Sequence, residues 1–433
     1  MAEWKKVKIN SFLKERESRI KPVEANKMGL KRLNKINFSG EIHLVDKLTN
    51  TDMILIKRGD LVISGINVEK GAVAVYQGME DILATIHYSA YIFDETKIDI
   101  EYFKTFLKSK AFRDVINSQI RSRIKTELKA NKFLSLEINL PDLEAQILIK
   151  NKINLASNKI SELSNIDDKN ESYLSKLRQQ ILQEAVQGKL VHQNPKDELA
   201  SELLKKIRAE KEKLIREGKI KKQKPLPPIS EDEIPYELPK GWVWCRLGDV
   251  LEFAENFDVQ KNLEKNELVN YVDIDAIDNK KHKIREVKLL LVSNLSTRAR
   301  RVLKKDYIAY SLVRPYLDNL AIIPDNRENY IGSTGFAVFK PIVILKEYLF
   351  YFLLNPILRN YYLKLLTGFN SPNIGFSKFS ETLLPLPPLS EQKRIVEKVD
   401  RLMAYCDELE KKVKENKENS EKLMEAVLLE SFQ

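Results

Sequence analysis

Two sets of basic and small polar side chains have the residue types best suited to binding a ligand. Lysine and arginine neutralise phosphates, arginine also bonds guanine, asparagine reads adenine, and serine or threonine serves either role. Because loops that mix these types on a strand scaffold suit reading of the major groove, the ligand indicated is DNA. In the second half of the chain, the candidate DNA contacts are Arg298, Arg300, Arg301, Lys304, Lys305, Arg314, Tyr316, Asn319, Ser333, Thr334, Asn370, Ser371, Asn373 and Lys378.

The first half of the chain carries a comparable set. Its candidate DNA contacts are Lys57, Arg58, Ser64, Asn67, Lys70, Arg121, Arg123, Lys125, Lys129, Asn131 and Lys132. For any one of these residues alone, a solvated surface charge is the simpler interpretation. That interpretation is weaker for the pattern as a whole, because basic loops recur at matching places in both halves.

Residue patterns for catalysis are missing from the sequence. There is no phosphate-binding Gly-x-x-x-x-Gly-Lys-Ser/Thr loop and no Gly-x-Gly-x-x-Gly turn. The Asn/Asp-Pro-Pro-aromatic tetrapeptide of amino-group DNA methyltransferases is also missing, since Asn355-Pro356 is followed by Ile357. We therefore assign no catalytic residue.

A metal site is not indicated either. The four histidines, His43, His87, His192 and His282, are scattered along the chain. The acidic residues near position 275 alternate with apolar ones, so we expect Asp273 and Asp275 to line one solvent face of a strand. Cys245 and Cys406 are too few for a disulfide framework or a thiolate metal site.

Composition favours a polyanionic partner. The 433 residues include 73 Lys and Arg against 62 Asp and Glu, a formal net charge of +11. Many basic proteins bind nothing acidic, so the net charge agrees with DNA binding by these loops but is not sufficient evidence for it. The apolar runs are shorter than a membrane span, and the start of the chain lacks the apolar segment of a signal peptide. We expect a cytoplasmic protein.

An internal repeat supplies the elements that would position these loops. At a shift of 246 positions, the Leu-Pro-x-Leu-x-x-Gln motif at 140–146 recurs at 386–392. Each copy opens a segment with apolar residues every 3.5 positions, which predicts one long helix over 143–187 and another over 389–433. The predicted coiled-coil contacts are Ile149, Ile153, Ile160, Leu163, Leu174, Leu177 and Ile181 with Ile395, Val399, Leu402, Leu409, Val413, Leu423 and Val427. Two separate amphipathic helices in different cores are the alternative.

The segments before the two helices also match each other. Trp4 matches Trp242 at a shift of 238, and beyond a small insertion Phe93 and Tyr102 match Phe339 and Tyr348 at 246. We therefore predict globular domains over 1–142 and 236–388. Residues 188–235 have no counterpart; they predict a short charged helix followed by an extended, solvated, basic and proline-rich connector.

The predicted fold class is α/β (α+β). Two similar globular domains are separated by two long helices that form an antiparallel coiled coil, and the duplication gives the monomer a pseudo-two-fold axis.

Several of these motifs resemble those of the DNA-specificity subunits of Type I restriction-modification enzymes. They are the two boundary motifs, residues 177–190 at the close of the first helix, the connector from 221 with 238–244, Val313-Arg-Pro-Tyr316 and Ser333-Thr-Gly-Phe336. The resemblance implies two target-recognition domains, each reading half of a bipartite DNA site, with the helices setting the unread spacer. The first domain departs from the family because residues 64–70 lack the Val-Arg-Pro-Tyr motif.

The resemblance also implies partners. Two methyltransferase subunits would dock about the helices and bind S-adenosylmethionine, and restriction/translocase subunits would join the full complex, while this subunit would hold no cofactor and catalyse nothing. The alternative hypothesis is a coiled-coil scaffold that positions protein partners without binding DNA. A stand-alone DNA-modifying enzyme is a third.

Overall fold

The chain forms two compact units in the computed structural model, which describes residues 4–67, 72–120, 128–368 and 372–432. The first unit is Met1–Lys169 with Val413–Gln433, and the second is Asn170–Lys412. The predicted contacts Lys70, Arg121, Arg123, Lys125, Asn370 and Ser371 lie outside the described residues. Each unit holds one globular domain and a stretch of both long helices.

The first domain is a mixed α/β domain. Its strands are β1 Lys5–Lys8, β2 Leu13–Glu15, β3 Arg19–Ile20, β4 Arg32–Ile36, β5 Ile42–Val45, β6 Met53–Ile56, β7 Leu61–Ser64, β8 Val73–Val75, β9 Ile82–Thr85, β10 Tyr88–Phe93 and β11 Glu137–Leu140. Its helices are α1 Pro22–Lys27, α2 Ile100–Lys108, α3 Lys110–Gln119 and α4 Ala130–Leu134. Over the described residues, one sheet has the order β2-β10-β7-β8 and another the order β3-β6-β9-β4-β5, while β1 pairs with β11.

The sheet β2-β10-β7-β8 is the middle layer of this domain. Leu61 and Ile63 of β7 pack into a core with helices α2 and α3, whereas Val62 between them packs with the second sheet. Since both faces are covered, the strand reads as a continuous apolar run and not as an alternating one. The order of layers is therefore helices, middle sheet, outer sheet.

The second domain follows the helix α5 Leu143–Val186 and the helix α6 Ala200–Arg216. Its strands are β12 Val243–Arg246, β13 Leu251–Phe253, β14 Leu268–Val272, β15 Ile277–Asp278, β16 Lys283–Ile284, β17 Lys288–Leu291, β18 Ala299–Val302, β19 Ile308–Ser311, β20 Leu320–Ile322, β21 Tyr330–Ser333, β22 Phe336–Pro341 and β23 Leu383–Leu386. Its helices are α7 Leu247–Val250, α8 Val259–Asn262, α9 Lys346–Leu353, α10 Pro356–Leu365 and α11 Phe376–Glu381, and the helix α12 Leu389–Ser431 follows.

Strand topology in the second domain repeats that of the first. Its middle sheet β13-β22-β19-β20 corresponds to β2-β10-β7-β8, and its outer sheet β17-β14-β21-β18 corresponds to β5-β4-β9-β6. Among the described strands, the parallel pair of each outer sheet is also the same, β4 with β9 and β14 with β21. The predicted α/β class with two similar domains is confirmed.

The register of the repeat changes inside the sheets. Tyr91 pairs with Leu61 in the first domain, and Phe339 pairs with Ile308 in the second. These pairs, together with the same order of buried and exposed residues along β10 and β22, place Tyr91 at the position of Phe339. The predicted match of Phe93 with Phe339 is therefore two residues out, because the register is already shifted by one residue at β7 and β19 and the loop before β9 is one residue shorter than the loop before β21.

The two long helices pair antiparallel within each unit. In the first unit, Lys152 lies 2.9 Å from Glu430, and Asp168 lies 2.9 Å from Lys417. In the second unit, the Arg178 guanidinium lies 2.6 Å from the carboxylate of Asp407. Residue numbers thus rise along α5 as those of the paired residues fall along α12, which confirms the predicted antiparallel pairing. The helices span Leu143–Val186 and Leu389–Ser431, against predicted ranges of 143–187 and 389–433.

Four of the predicted coiled-coil contacts are corrected. The side chains of Leu163, Leu177, Leu409 and Leu423 are 45–53% exposed. Later members of the same repeat, such as Ile181 and Val413, are buried, so these leucines are single exposed positions and not the result of a shift of the whole seam. Next to exposed Leu177, it is Arg178 that faces the other helix. The other predicted members are buried or half-buried: Ile149, Ile153, Ile160, Leu174, Ile181, Ile395, Val399, Leu402, Val413 and Val427.

Each domain core receives the start of one long helix and the end of the other. In the first domain Ile153 lies near the start of α5, and Phe432 follows the end of α12. The Phe432 ring lies 5.5 Å from the rings of Tyr102 and Phe106. In the second domain the corresponding contributions are Ile395 and Val186. The helices therefore belong to the domain cores as well as to each other.

The helix α6, in the segment between α5 and β12, is packed against the second domain, whereas residues 221–225 after it are exposed and form no helix or strand, in line with the extended, solvated connector that the sequence predicts. Leu203 and Ile207 of α6 are buried in the core of this domain. The proline-rich stretch is held by Arg246, whose guanidinium donates to the carbonyl oxygens of Pro227 at 3.1 Å and Pro228 at 2.9 Å. The described part of the first domain has no equivalent element.

The glutamine of the repeated boundary motif has the same role in both units. Gln146 is fully buried, donates to Pro141 O at 2.9 Å and accepts from the Asp99 amide at 2.8 Å. Gln392 is also fully buried, donates to Pro387 O at 3.0 Å and accepts from the Leu345 amide at 2.9 Å. Each side chain fixes the start of a long helix to the start of α2 or α9.

We expect Gln146→Leu and Gln392→Leu each to lower the free energy of unfolding by about 2–3 kcal/mol, because each leaves a buried amide and carbonyl unpaired. Urea unfolding measures the effect. The exposed Gln179→Leu is the matched control and should change stability by less than about 0.5 kcal/mol. Equal stability of all three variants would contradict this role.

Candidate nucleic-acid interface

Three loops meet at one edge of the second domain. The Leu312 amide donates to Gly335 O at 2.8 Å, the Ile374 amide donates to Leu312 O at 3.2 Å, and the Arg314 amide donates to Pro372 O at 2.8 Å. These bonds join the loop after β19, the β21–β22 turn and the loop before α11. They bring Arg314, Thr334 and Asn373, which the sequence predicts as DNA contacts from separate segments, to one surface.

The same junction is present in the first domain. The Gly65 amide donates to His87 O at 3.1 Å, and the Leu128 amide donates to Gly65 O at 2.8 Å. The loop after β7, the β9–β10 turn and the segment before α4 are the topological counterparts of the three loops in the second domain. We call each such meeting point the three-loop junction. Asn67 and Lys129 lie in its loops.

Backbone geometry fixes the loop after β19. Arg314 and Asp318 both have left-handed backbone conformations, with φ of 47° and 53°. Pro315 between them is buried, and the Asp318 carboxylate pairs with Arg359. Burial raises the pKa of Asp318, against the lowering effect of Arg359. The exposed Arg314 side chain is thus presented from an anchored turn, with Tyr316 and Asn319 half-exposed beside it.

Not all predicted contacts lie at a junction. Arg298 does, since its carbonyl accepts from the Thr334 amide at 2.7 Å. Lys304 and Lys305 follow the other end of β18, because Ala299 and not Val302 pairs with Ser333. In the first domain, exposed Lys57 and Arg58 likewise follow the far end of β6. The predicted basic set therefore divides between the two ends of the outer sheet.

Three predicted DNA contacts, Ser64, Ser333 and Arg301, are wrong, because their side chains are buried or bonded within the domain. Ser64 and Ser333 are 6% and 1% exposed. Arg301 donates to Phe336 O at 3.1 Å and to Asn256 Oδ1 at 2.7 Å, and it lies over the Phe376 ring. Burial lowers the pKa of its guanidinium. Residue type alone does not distinguish this half-buried, bonded arginine from an exposed one.

The remaining predicted residues are surface groups on β18, α11 and α4. Arg300 is exposed and bonds Thr297 O at 3.1 Å. Lys378, on α11, pairs with Glu381 at 3.0 Å, which raises the pKa of the lysine. Asn131 and Lys132 are exposed on α4, the counterpart of α11.

The sequence interpretation missed a basic hairpin in the second domain. Strands β15 and β16 carry a turn whose Lys280, Lys281 and Lys283 are exposed. Asn279 in this turn donates to Leu317 O at 2.9 Å, so the hairpin adjoins the loop of Arg314. The run Lys-Lys-His-Lys at 280–283 was the available signal.

The acidic residues near position 275 do not line a strand, which corrects that expectation. Strand β14 ends at Val272, and Asp273 accepts from the Ile274 amide at 2.8 Å to start a short 3-10 turn. Across the described ranges, no three His, Cys, Asp or Glu side chains are grouped to hold a metal ion. Nor does any helix there combine the length and apolar composition that a bilayer crossing requires.

Comparison with known proteins agrees with this architecture. Residues 239–418 match the family model described as the Type I restriction modification DNA specificity domain. The chain is 35% identical over 277 residues to the Type I restriction enzyme EcoAI specificity subunit of Escherichia coli, covering 59% of this chain and 44% of that protein. It is 35% identical over 263 residues to the EcoEI specificity subunit of the same species, covering 59% and 43%. The matched stretches thus span less than half of these relatives.

A solved structure has a similar fold over nearly the whole chain. The HsdS subunit from Thermoanaerobacter tengcongensis matches with a TM-score of 0.60 at 16% sequence identity, covering 99% of this chain and 96% of that one. At this identity the likeness concerns the fold. Together with the specificity-domain match over residues 239–418 and the duplicated domains, it shows that the chain is similar to the specificity subunits of Type I restriction-modification systems.

Proposed function

We propose that the chain is the non-catalytic DNA-recognition subunit of a Type I restriction-modification enzyme. Each domain reads one half of a bipartite site with the surface around its three-loop junction. The observation that carries the proposal is the recurrence of this junction, with matching backbone hydrogen bonds, in both domains. A duplicated frame that presents different side chains suits two different half-sites.

The side chains around the second junction suit both parts of DNA recognition. Exposed arginines and lysines neutralise phosphates, which positions the protein, whereas arginine and asparagine also bond base edges. Arg298, Arg314 and the hairpin lysines supply the charge, and half-exposed Thr334 and Asn373 supply the polar groups. The anchored turn at Arg314 reduces the entropy cost of binding.

The long helices dock the methyltransferase subunits in this proposal. Leu148 and Leu155 are each 64% exposed on α5, and Ile166 is 52% exposed. At 3.6 residues per turn they lie within about 20° of one line, which we call the apolar stripe; Lys159 interrupts it between Leu155 and Ile166. Such a stripe favours a partner helix. Two methyltransferase subunits would bind S-adenosylmethionine, and restriction/translocase subunits would join them in the cytoplasm.

A coiled-coil scaffold without DNA binding is the competing function. It explains the helices and the stripe, but it gives no reason for a basic surface at the loop junction of the second domain. The two functions differ in a direct measurement. The complex of this chain with the methyltransferase subunit encoded beside it should bind duplex DNA with an affinity that falls steeply as salt rises, because counterions are released. Binding that is undetectable at about 50 mM salt would favour the scaffold.

A further inference from the structure

A groove of about 690 Å³ opens in the first domain where the chain twice crosses from one sheet to the other. The first crossing, residues 15–19, leads from β2 to β3, and the second, residues 86–89, leads from β9 into β10. Residues 128–130, next to the three-loop junction, form the third wall. None of these wall residues except Lys129 is among the DNA contacts that the sequence predicts.

The walls of the groove are held by buried bonds. Arg16 donates to both carboxylate oxygens of Asp60, at 2.6 and 2.7 Å, and Asp60 is 2% exposed. Ser18 Oγ accepts from the Leu55 amide at 3.0 Å. Since the junction bonds hold His87 and Leu128, all three walls are fixed relative to one another. A fixed groove is preorganised for a ligand.

The lining of the groove combines the groups that distinguish base edges. Glu17 is an exposed acceptor, Arg19 and Lys129 are cationic donors, and Ile86 is an exposed apolar group. Arg19 lies 3.4 Å from Asp52, so part of its charge is already neutralised. Burial and the neighbouring Glu17 charge raise the pKa of Glu15. A purely acidic surface would repel DNA, but here the carboxylates stand among donors and apolar groups.

In the second domain, the Arg301 side chain occupies the place that corresponds to this groove. Ile54, which lines the groove, pairs with Ala84, and Arg301 pairs with Gly332 at the corresponding position of the second domain. Arg301 reaches across to Asn256 and Phe336 there. The two domains therefore share a backbone frame but differ at this groove. A difference located there is what separate half-site sequences require.

We propose that this groove is the base-reading site of the first domain, and that Glu17 accepts a hydrogen bond from the N4 amino group of a cytosine in the first half-site. Glutamate presents only acceptors, and in the major groove the amino donor of cytosine is the group that a carboxylate reads. Ile86 contacts an adjacent base from the opposite wall. This inference rests on the proposed function, because it assumes that the first domain reads DNA.

Methylome sequencing of cells that express this chain with its methyltransferase subunit tests the inference. With the parent chain we expect a split motif with a cytosine in one block. Glu17→Gln should lower methylation of sites with that cytosine about ten- to hundredfold relative to sites carrying another base there, because the neutral amide oxygen accepts more weakly than a carboxylate and the new NH2 group favours adenine. The other block and the spacer should stay unchanged. Glu255→Gln, at the matching position of the second domain, is the control and should leave the first block intact.

The possible outcomes distinguish failure of the groove assignment from failure of the proposed function. If Glu17→Gln leaves the parental motif unchanged, or if Glu255→Gln alters the same block, the groove assignment is overturned while the proposed function stands. If the parent complex gives no split motif, the proposed function fails, and this inference fails with it. Ile86→Ala, from the opposite wall, should alter the same block as Glu17→Gln; a change confined to the other block would also overturn the assignment. Equal melting temperatures exclude misfolding as the cause.

Discussion

The triple variant Leu148→Ser, Leu155→Ser, Ile166→Ser should weaken assembly with the methyltransferase subunit on the order of a thousandfold, since each apolar anchor removed from an interface costs about 1–2 kcal/mol. The stability of the chain itself should change little, because all three side chains are exposed. Analytical ultracentrifugation of the mixed subunits measures the weakening.

A control on the same helix separates docking from helix propensity. Asn154→Ser and Asn158→Ser replace exposed residues that lie about 90° away from the apolar stripe, on the side opposite the other long helix. This double variant should assemble like the parent chain. Assembly of the triple variant at parental affinity would remove the stripe from the interface.

Neutralising the second junction should have the next largest effect. Arg298→Ser with Arg314→Gly should weaken DNA binding by the assembled complex about ten- to hundredfold at low salt, and should reduce the slope of log affinity against log salt by roughly one for each phosphate that is no longer neutralised. Glycine is chosen because Arg314 has a φ of 47°. Fluorescence anisotropy over a salt series measures both quantities.

The matched control is Lys304→Ser with Lys305→Ser. It removes the same charge from the far end of β18, so we expect less than about a threefold change. Deleting the whole segment 298–305 would be uninformative, because it removes β18 and the buried side chains of Ala299 and Leu303. Equal effects of the two double variants would show that general charge, and not the junction, carries binding.

Local pattern was enough to predict the architecture. The repeated Leu-Pro-x-Leu-x-x-Gln motif marks both helix starts, because its glutamine makes the same buried bonds each time. The heptad pattern predicted the helix pair but misplaced Leu163 and Leu177, because spacing alone does not decide which residues of the seam the facing helix covers. Packing of α6 against the second domain was not predictable from its charged sequence.

The candidate site was less accessible to sequence reasoning for a physical reason. Residue type distinguishes basic from apolar positions, but the junctions are made by backbone hydrogen bonds between segments far apart in the chain, such as Leu312 with Gly335. Arg301 and Arg298 look alike in sequence, yet Arg301 is half-buried and bonded to Phe336 and Asn256, whereas Arg298 is exposed beside the junction. Residue types suited to neutralising phosphates do not point to Glu17 or to the acidic side of the groove, because a carboxylate is not one of them.

The most direct test of the central claim is the methylome of a host that expresses this chain together with its methyltransferase subunit. We expect new methylation at one split motif, consisting of two short specific blocks around an unread gap. A soluble complex of the two proteins that produces no methylation, or methylation at a single continuous motif, would contradict it.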